Sequence, residues 1–461
     1  MPDNQTNLYH TLDVAIEQQD VQELQHLLNE QNISDIAEWI EENETHSITV
    51  ISNMTVNRAA AVFKILDLKI QKLLINNLPA TKTAELINEL PADDRTDLFQ
   101  ELPSNVVREL IKTLNFSERK IALSLLGYPE NSVGRLMTPD YVYVYEHDTV
   151  EEVLNTIRRV GKNSETIDVI YVINDKGILL DDIRIRDIIL SQPTNTVSEL
   201  MDDRVITLHA EDDQEIASDV FKMNNRVALP VVSKTNKLLG IVTIDDILWV
   251  AEEEFSEDMQ KMGGTEALDE PYLDVSIRKL VQKRGTWLVV LFIGEMFTAT
   301  AMQYFNGEIE KATILALFIP LIVSSGGNSG SQASTLIIQA MALGELAIKD
   351  WWRVMRRELM SGLLLGLLLG CIGLVRIIIW QKAGFYDYGP YWERLSLVLF
   401  FSLIGIVLWG SLVGSMLPLL LKRLGADPAT SSTPFVATLV DVTGLLIYFS
   451  IALLFLKGYM L

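Results

Sequence analysis

The sequence is poor in the residues that hold metals or cross-links through sulfur and imidazole. Its 461 residues include one cysteine, Cys371, and five histidines. A single thiol excludes internal disulfides and zinc clusters held by several cysteines, and scattered histidines argue against a histidine-rich metal site. The sequence also lacks a phosphate loop, a nucleophile paired with a base and a catalytic metal motif. We therefore expect a protein that is not an enzyme.

Positive charge is scarce in the first part of the chain. The whole chain carries 38 Lys and Arg against 61 Asp and Glu, a formal net charge of −23. Residues 276–461 hold 15 basic and 10 acidic residues, so residues 1–275 carry a net charge of −28. Such a surface repels phosphates, which argues against nucleic acid as a partner.

Long apolar runs are confined to the second part of the chain, where five reach the roughly 20 residues that a helix needs to cross a bilayer. They are Trp287–Phe305, Ala312–Leu343, Leu359–Trp380, Leu395–Leu421 and Pro434–Leu456. A globular core could bury one or two such helices but not five in succession. We therefore predict a five-helix α transmembrane domain over residues 276–461, in contact with the lipid bilayer.

The distribution of Lys and Arg predicts the orientation of this domain. Basic residues are concentrated before the first run, between the second and third runs, and between the fourth and fifth runs. The alternate loops contain fewer of them. Five crossings with a cytoplasmic N-terminus satisfy this pattern, so we expect a multi-pass protein of the cell (inner) membrane with cytoplasmic N-terminal domains.

Residues 1–130 have the apolar spacing of helices and contain a short repeat. Leu-Pro-Ala or Leu-Pro-Ser recurs every twelve residues, starting at Leu78, Leu90 and Leu102. Because proline suits the first turn of a helix, each unit is predicted to be one short helix and a turn. None could bury its apolar face alone, so the units are predicted to stack into an α-helical superhelical N domain.

A longer repeat occupies residues 131–249, where the pattern that begins at Leu136 returns 64 residues later at Leu200. Each copy predicts a short strand, an acidic helix start, an apolar strand and a closing helix. The predicted strands are Val142–Val144 and Val169–Ile173 in the first copy, and Val205–Leu208 and Ala228–Val232 in the second. This order resembles a tandem pair of CBS modules, α/β units that sense small ligands and ions.

The CBS resemblance implies ATP as a candidate ligand. In CBS modules that bind adenine nucleotides, a Thr-x-x-Asp of this kind can hold the ribose, and Thr243 and Asp246 fit it. Arg186 and Asp187, at the closing helix of the first module, complete the candidate nucleotide set. The alternative interpretation of Thr243 and Asp246 is a helix cap.

A polar, glycine-rich segment lies inside the second apolar run. It contains Gly326, Gly327 and Asn328. Two adjacent glycines are expected to loosen the helix, and freed carbonyls with the Asn328 amide are the oxygen ligands that a hard cation or its water shell prefers. The alternative is a seam of small residues along which helices pack.

Asp441 lies in the middle of the fifth run. An ionised carboxylate at this depth is costly and usually marks an ion path, although a protonated or hydrogen-bonded structural aspartate is the alternative. Glu295, in the middle of the first run, has fewer polar neighbours, and both a pore-associated and a structural role stay open for it.

The order of the parts resembles the MgtE family of magnesium channels: a helical acidic domain, a CBS pair, an acidic connecting helix over residues 250–275, and five spans. The segments PLIVSSGGNSGSQ and TLVDVTGLLIYF, in the second and fifth spans, carry the resemblance. It implies a homodimer with a pore on its twofold axis, lined by these two spans. It also implies that Asp441 is the central ligand of a hydrated Mg²⁺.

The resemblance further implies that cytoplasmic Mg²⁺, bound between the acidic domains and the connecting helix, closes the channel. The net charge of residues 1–275 is consistent with this regulation, because a soluble part with a charge of −28 repels itself unless cations screen or bridge it. The candidate regulatory ligands are Asp93, Asp94, Asp97, Asp213, Glu215, Asp246, Glu254, Glu257 and Asp258. The alternative is that these acids form a solvated face.

The sequence therefore predicts a Mg²⁺-selective channel or transporter for Mg²⁺ uptake. The rival function is a divalent-cation exporter coupled to Na⁺ or H⁺. An exporter would be expected to carry more titratable groups within its spans than Asp441 and Glu295.

Overall fold

The computed structural model describes residues 11–18, 20–268 and 271–459. It divides into two compact units, Met1–Ala251 and Glu252–Leu461, which we call the first and second units.

The first unit begins with short helices that stack. After a helix over residues 11–17, they are Val21–Glu30, Ile33–Glu42, Ser47–Asn53, Val56–Ile65, Leu68–Asn77, Ala80–Glu89, Ala92–Glu101, Ser104–Thr113 and Phe116–Leu125. Pro79, Pro91 and Pro103 each immediately precede a helix, as the twelve-residue repeat predicts. Helices two apart in the chain pack against each other, and this pattern builds the superhelix around a continuous apolar core.

Two CBS modules of the same topology follow. The strands are β1 (Tyr143–Tyr145), β2 (Val169–Ile173) and β3 (Leu179–Arg184), then β4 (Leu208–His209), β5 (Ala228–Val232) and β6 (Leu238–Thr243). In each sheet the middle strand pairs in parallel with the first strand and antiparallel with the third. The helices of the modules are Val133–Leu136, Val150–Val160, Ile185–Leu190, Gln214–Asn224 and Ile244–Met262. The predicted α/β repeat is confirmed.

Two of the apolar cores join different parts of the first unit. Buried side chains of both sheets, among them Tyr171 and Ile241, pack face to face. A second core joins the helical domain to the second module, because Ala92 and Leu125 pack with Phe221 and Ile247. This core brings the start of the helix Ala92–Glu101 close to the start of the helix Ile244–Met262.

Several predicted elements have different bounds, and the strand predicted over Val142–Val144 is observed as β1, Tyr143–Tyr145. The pattern predicts a strand over Val205–Leu208, whereas β4 contains only the two residues that pair with Val231 and Val232 of β5. The connecting helix expected over 250–275 ends at Met262, because Gly264 adopts a left-handed conformation (φ +75°) that terminates the helix. Residues 269 and 270 of that segment lie outside the described residues.

The described part of the second unit contains five helices long and apolar enough to cross a membrane, which we call the first to fifth spans. They are Ile277–Tyr304, Thr313–Ala342, Ile348–Ala383, Trp392–Arg423 and Thr433–Leu456. All five predicted spans are confirmed. The second span begins with a 3-10 turn, Thr313–Phe318, and continues as the α-helix Ile319–Ala342; a short helix, Asn306–Lys311, precedes it.

The predicted loosening of the second span at Gly326 and Gly327 is wrong. The α-helix continues through both residues, and the glycines instead allow a close approach of the fourth span. Gly410 contacts the carbonyl of Gly326, and Gly414 contacts that of Gly330, so that backbone packs on backbone. The hydroxyls of Ser329 and Ser411 lie 2.8 Å apart beside this contact. The alternative of a small-residue seam therefore describes this part of the segment.

Candidate functional site

Asp441 and Gly327 lie side by side where the second and fifth spans pack together. A Cβ atom at Gly327 would lie 3.3 Å from Oδ1 of Asp441, so the absence of a side chain leaves space for the carboxylate. Asp441 is half-buried. Among the residues that the structure describes, its carboxylate accepts no hydrogen bond and forms no ion pair, which argues against a hydrogen-bonded structural aspartate.

The three predicted residues of the glycine-rich segment occupy different surroundings. Gly326 is buried against Ile406 of the fourth span and Val440 of the fifth, so it belongs to the packing seam. Asn328 is exposed, and its amide group donates a 3.4 Å hydrogen bond to Ser324 within the same helix. Of these three residues, Gly327 is the one that borders the Asp441 carboxylate.

In the first unit, the predicted acids Asp93, Asp94 and Asp246 come together. Asp93 is 4% exposed, and its buried Oδ1 has no hydrogen-bond partner among residues 11–18, 20–268 and 271–459. Burial raises the pKa of Asp93 well above its usual value, and repulsion by Asp246 and Asp94 adds to this rise. Burial also raises the pKa of Asp246, to about 7, although hydrogen bonds from Thr243 oppose the rise. Three carboxylates that repel one another therefore share a largely buried site.

Two further acids and one lysine face this group, which we call the Asp93 cluster. Glu165 and Asp245 repel its members electrostatically, and Lys64 lies with its Nζ 3.5 Å from Oδ2 of Asp94. Burial raises the pKa of Glu165, with Lys64 opposing the rise. Sequence reasoning missed Glu165, because it reaches the cluster only through tertiary packing. Asp245 carries a local signal, since it adjoins Asp246 in the chain.

The remaining predicted acids of the first unit have other surroundings. Asp97 is exposed and accepts a 3.1 Å hydrogen bond from Gln100. Asp213 caps the helix Gln214–Asn224 by accepting the backbone N–H of Glu215 at 2.9 Å. Within the described residues, no group of three or more His, Cys, Asp or Glu side chains has the arrangement of a metal site. The clustered acids are therefore not a preformed cage.

The acids of the connecting helix, Glu254, Glu257 and Asp258, are half-buried in the second unit. Lys261 forms an ion pair with Glu257 and places its Nζ 2.9 Å from Oδ2 of Asp427, in the loop before the fifth span. Although burial opposes the charge, these two carboxylates raise the pKa of Lys261. The Lys261 ammonium thus lies between two carboxylates. Asp427 was not among the residues predicted from the sequence.

The candidate nucleotide residues lie at two helix starts. The Thr243 hydroxyl lies 2.8 Å from Oδ2 of Asp246, which also accepts the Thr243 backbone N–H at 3.4 Å. This is the geometry of a helix N-terminus, so the alternative of a helix cap fits these two residues. Arg186 is exposed and pairs with Asp187 at 3.4 Å.

Three family models match the chain in succession. Residues 31–131 match the MgtE intracellular N domain, and residues 133–192 and 197–253 match the CBS domain. Residues 319–451 match the MgtE model, described as a divalent cation transporter.

Curated relatives and a solved structure agree with these matches. The magnesium transporter MgtE of Thermus thermophilus is 41% identical over 338 residues, which are 73% of this chain and 72% of that protein. The magnesium transporter MgtE of Bacillus subtilis is 30% identical over 415 residues, 90% of each chain. A crystal structure of the cytosolic domain of the Mg²⁺ channel MgtE in complex with ATP is 32% identical, with a TM-score of 0.51, and covers 52% of this chain and 99% of its own. From these relatives and the succession of matched domains, it follows that this protein belongs to the MgtE family.

Proposed function

We propose that this protein takes up Mg²⁺ through a channel in the cell (inner) membrane, with its acidic first unit in the cytoplasm. The observation that carries the proposal is the Asp441 carboxylate, which lies within the fifth span beside Gly327 and has no hydrogen-bond or ion-pair partner among the described residues. A charge in mid-span costs about 2.5–3.5 kcal/mol, so it needs a compensating cation or water. The relatives named magnesium transporters support Mg²⁺ as that cation.

The chemistry of Mg²⁺ suits a carboxylate that contacts the ion through its water shell. Mg²⁺ gives up its water shell reluctantly and usually keeps several waters. A carboxylate that holds the ion through these waters binds it firmly enough to select it and loosely enough to release it. Neither the second span nor the fifth contains a basic residue that would repel a cation.

The path is proposed to lie between the two copies of a homodimer. Asn328 and Ser324 of the second span are exposed in the single chain, as is Leu439 of the fifth. Amide and hydroxyl groups at this depth are tolerated where they line a cavity or pack against protein, not where they face lipid. A second copy against this surface would enclose Asn328 and Asp441 in a polar path.

Cytoplasmic Mg²⁺ is proposed to close the channel by binding the acids of the first unit and those of the connecting helix. In the Asp93 cluster, five carboxylates face one lysine among the described residues. Each close pair of like charges costs on the order of 1 kcal/mol in a solvent-like dielectric and several in a partly buried site. Relief of several pairs would supply the ~5.5 kcal/mol that shifts a two-state gate from 1:99 to 99:1.

ATP is proposed as a second ligand of the first unit. The support is the relative whose cytosolic domain was crystallised with ATP and which covers 52% of this chain. The exposed guanidinium of Arg186 is the group available to a phosphate, since Thr243 and Asp246 already bond to each other.

Recording of single channels in a planar bilayer, with Mg²⁺ varied on each face, tests the proposal. We expect steady Mg²⁺ current without a Na⁺ or H⁺ gradient, and closure when Mg²⁺ rises on the face of the first unit. Transport that stops when the Na⁺ and H⁺ gradients are removed would instead support the coupled exporter.

A further inference from the structure

The first span runs parallel to the fifth span and packs along it. At one end the Trp287 indole donates a 2.8 Å hydrogen bond to the Ser432 hydroxyl. At the other end the rings of Phe305 and Phe449 stack with centroids 4.6 Å apart. Between them, a Cβ at Gly294 would lie 2.9 Å from the Thr438 methyl group. The three contacts join residues at nearly the same sequence offset, so Thr298 lies at the level of Asp441.

Thr298 has an unsatisfied hydroxyl at this level. The residue is 9% exposed, and its Oγ1 has no hydrogen-bond partner in the part of the chain that the structure describes. Threonine in a helix commonly bonds to the carbonyl four residues earlier, as Thr286 and Thr300 of the same span do. A buried hydroxyl without a partner costs roughly 1–3 kcal/mol, so its position calls for a ligand.

Glu295 lies one turn before Thr298 on the same helix. Its carboxylate is close enough to that of Asp441 for the two negative charges to repel each other. The basic residues of the first span precede Gly285, and the fifth span contains none. Two like charges at membrane depth therefore lack a compensating cation within these two helices.

We infer that the side chains of Glu295, Thr298 and Asp441 together form a binding site for a hydrated divalent cation on the ion path. This inference rests on the proposed function and deepens it, because it adds the first span to the groups that select the ion. Asp441 and Glu295 supply two carboxylates per chain, four in the proposed homodimer, and this density of negative charge favours a divalent over a monovalent cation. The Thr298 hydroxyl would accept a hydrogen bond from a water of the ion's shell. Glu295 is exposed in the single chain, and a water-filled path is a less costly surrounding for it than lipid.

The test is Mg²⁺ influx into liposomes that contain the full-length protein and an internal Mg²⁺-sensitive dye. For Glu295→Gln we expect the half-saturating Mg²⁺ concentration to rise on the order of tenfold, as for the loss of one charged interaction. Block by Na⁺ or K⁺ should strengthen at the same time. Thr298→Val should give a smaller rise that Thr298→Ser reverses. Glu308→Gln, which removes an acid beyond the end of the first span, is the matched control and should behave as wild type.

The outcomes separate this inference from the proposed function. Wild-type affinity and ion preference in Glu295→Gln, alongside an inactive Asp441→Asn, would overturn the inference and leave the proposed function standing. Normal transport by Asp441→Asn would overturn both. Glu295→Asp keeps the charge on a shorter side chain and should show an intermediate shift. Failure of Glu295→Gln to fold, with wild-type behaviour of Glu295→Asp, would assign Glu295 a structural role and overturn the inference.

Discussion

Asp441 carries its carboxylate within the fifth span without a hydrogen-bond or ion-pair partner in the described residues, and its charge is expected to be essential for transport. Asp441→Ala should abolish Mg²⁺ flux, and Asp441→Asn should lose most of it, because an amide keeps the shape but not the charge. Both variants should remain folded. Uptake by a Mg²⁺-auxotrophic cell measures the effect, with Glu345→Gln in an exposed loop as the control. Near-normal growth of cells that carry Asp441→Ala would show that this residue does not lie on the ion path.

Gly326 and Gly327 adjoin in sequence but should respond differently to substitution. A side chain at Gly326 meets Ile406 and Val440, so Gly326→Leu should destabilise the membrane domain by about 1–3 kcal/mol or prevent its folding. Gly327→Ala places a methyl group 3.3 Å from Oδ1 of Asp441, and it should leave the fold intact while reducing flux. Thermal unfolding in detergent, measured beside flux, distinguishes the two effects. The reverse pattern would place Gly326, not Gly327, on the path.

The chemical types of the site residues could be predicted from the sequence, but their neighbours could not. A carboxylate in an apolar run is conspicuous whatever its surroundings, and this is why Asp441 and Glu295 stand out. Glu165 and Asp427 lie in ordinary polar loops. Each interacts with a residue far away in the chain, Glu165 with Asp93 and Asp427 with Lys261, and the sequence does not reveal these pairs. Two adjacent glycines are consistent with an open helix and with a close helix contact, and only the position of Gly410 decides between them.

At the scale of elements, the helix Ala92–Glu101 brings Asp93 to the start of the helix Ile244–Met262, where Asp246 lies. Because both acids have a raised pKa in the folded protein, their contribution to stability is greatest below the unfolded pKa near 4 and is lost as pH rises through about 7 for Asp246. The melting temperature of the metal-free protein should therefore fall between pH 6 and pH 8. Asp246→Asn should reduce this fall by the equivalent of on the order of 1 kcal/mol.

Asp97→Asn is the matched control for this pH dependence, because Asp97 lies on the same helix as Asp93 but is exposed. Its melting temperature should follow the wild-type curve. An unchanged pH dependence in Asp246→Asn would show that Asp246 does not titrate in this range.

Elements defined by local periodicity were the most predictable. The spans follow from the length of apolar runs, and the strand Val169–Ile173 has the predicted bounds because it is apolar at every position. The repeat at Leu78, Leu90 and Leu102 predicts helices that begin directly after proline, as they do. The end of the connecting helix was less predictable, because it depends on the left-handed backbone of one glycine, Gly264.

At the scale of the whole molecule, the acids of both units are expected to set the response to cytoplasmic Mg²⁺. Substitution of Asp246, Glu254, Glu257 and Asp258 by Ala removes the proposed ion sites and the repulsion together. The resulting channel should be open at Mg²⁺ concentrations that close the wild type, and residues 245–265 should lose their Mg²⁺-dependent protection against proteolysis. Current at millimolar cytoplasmic Mg²⁺ and limited proteolysis provide the two measurements.

A second fourfold variant controls for the loss of charge alone. Glu23, Glu30, Glu89 and Glu130 are exposed acids of the first unit, and their replacement by Ala removes the same total charge. This variant should close at the wild-type Mg²⁺ concentration. If the first fourfold variant also closes and is protected there, its acids form only a solvated face.

The contact of Gly410 and Gly414 with the second span has a mechanical consequence. Where backbone touches backbone, no side chain can change rotamer to absorb a sliding motion, and Ser329 and Ser411 add a polar bond at the same point. The second and fourth spans should therefore move as a single rigid body. We therefore expect any widening of the path around Asp441 to come from rotation or tilt of the fifth span, whose Val436 and Val440 side chains pack on Gly330 and Gly326 of the second span.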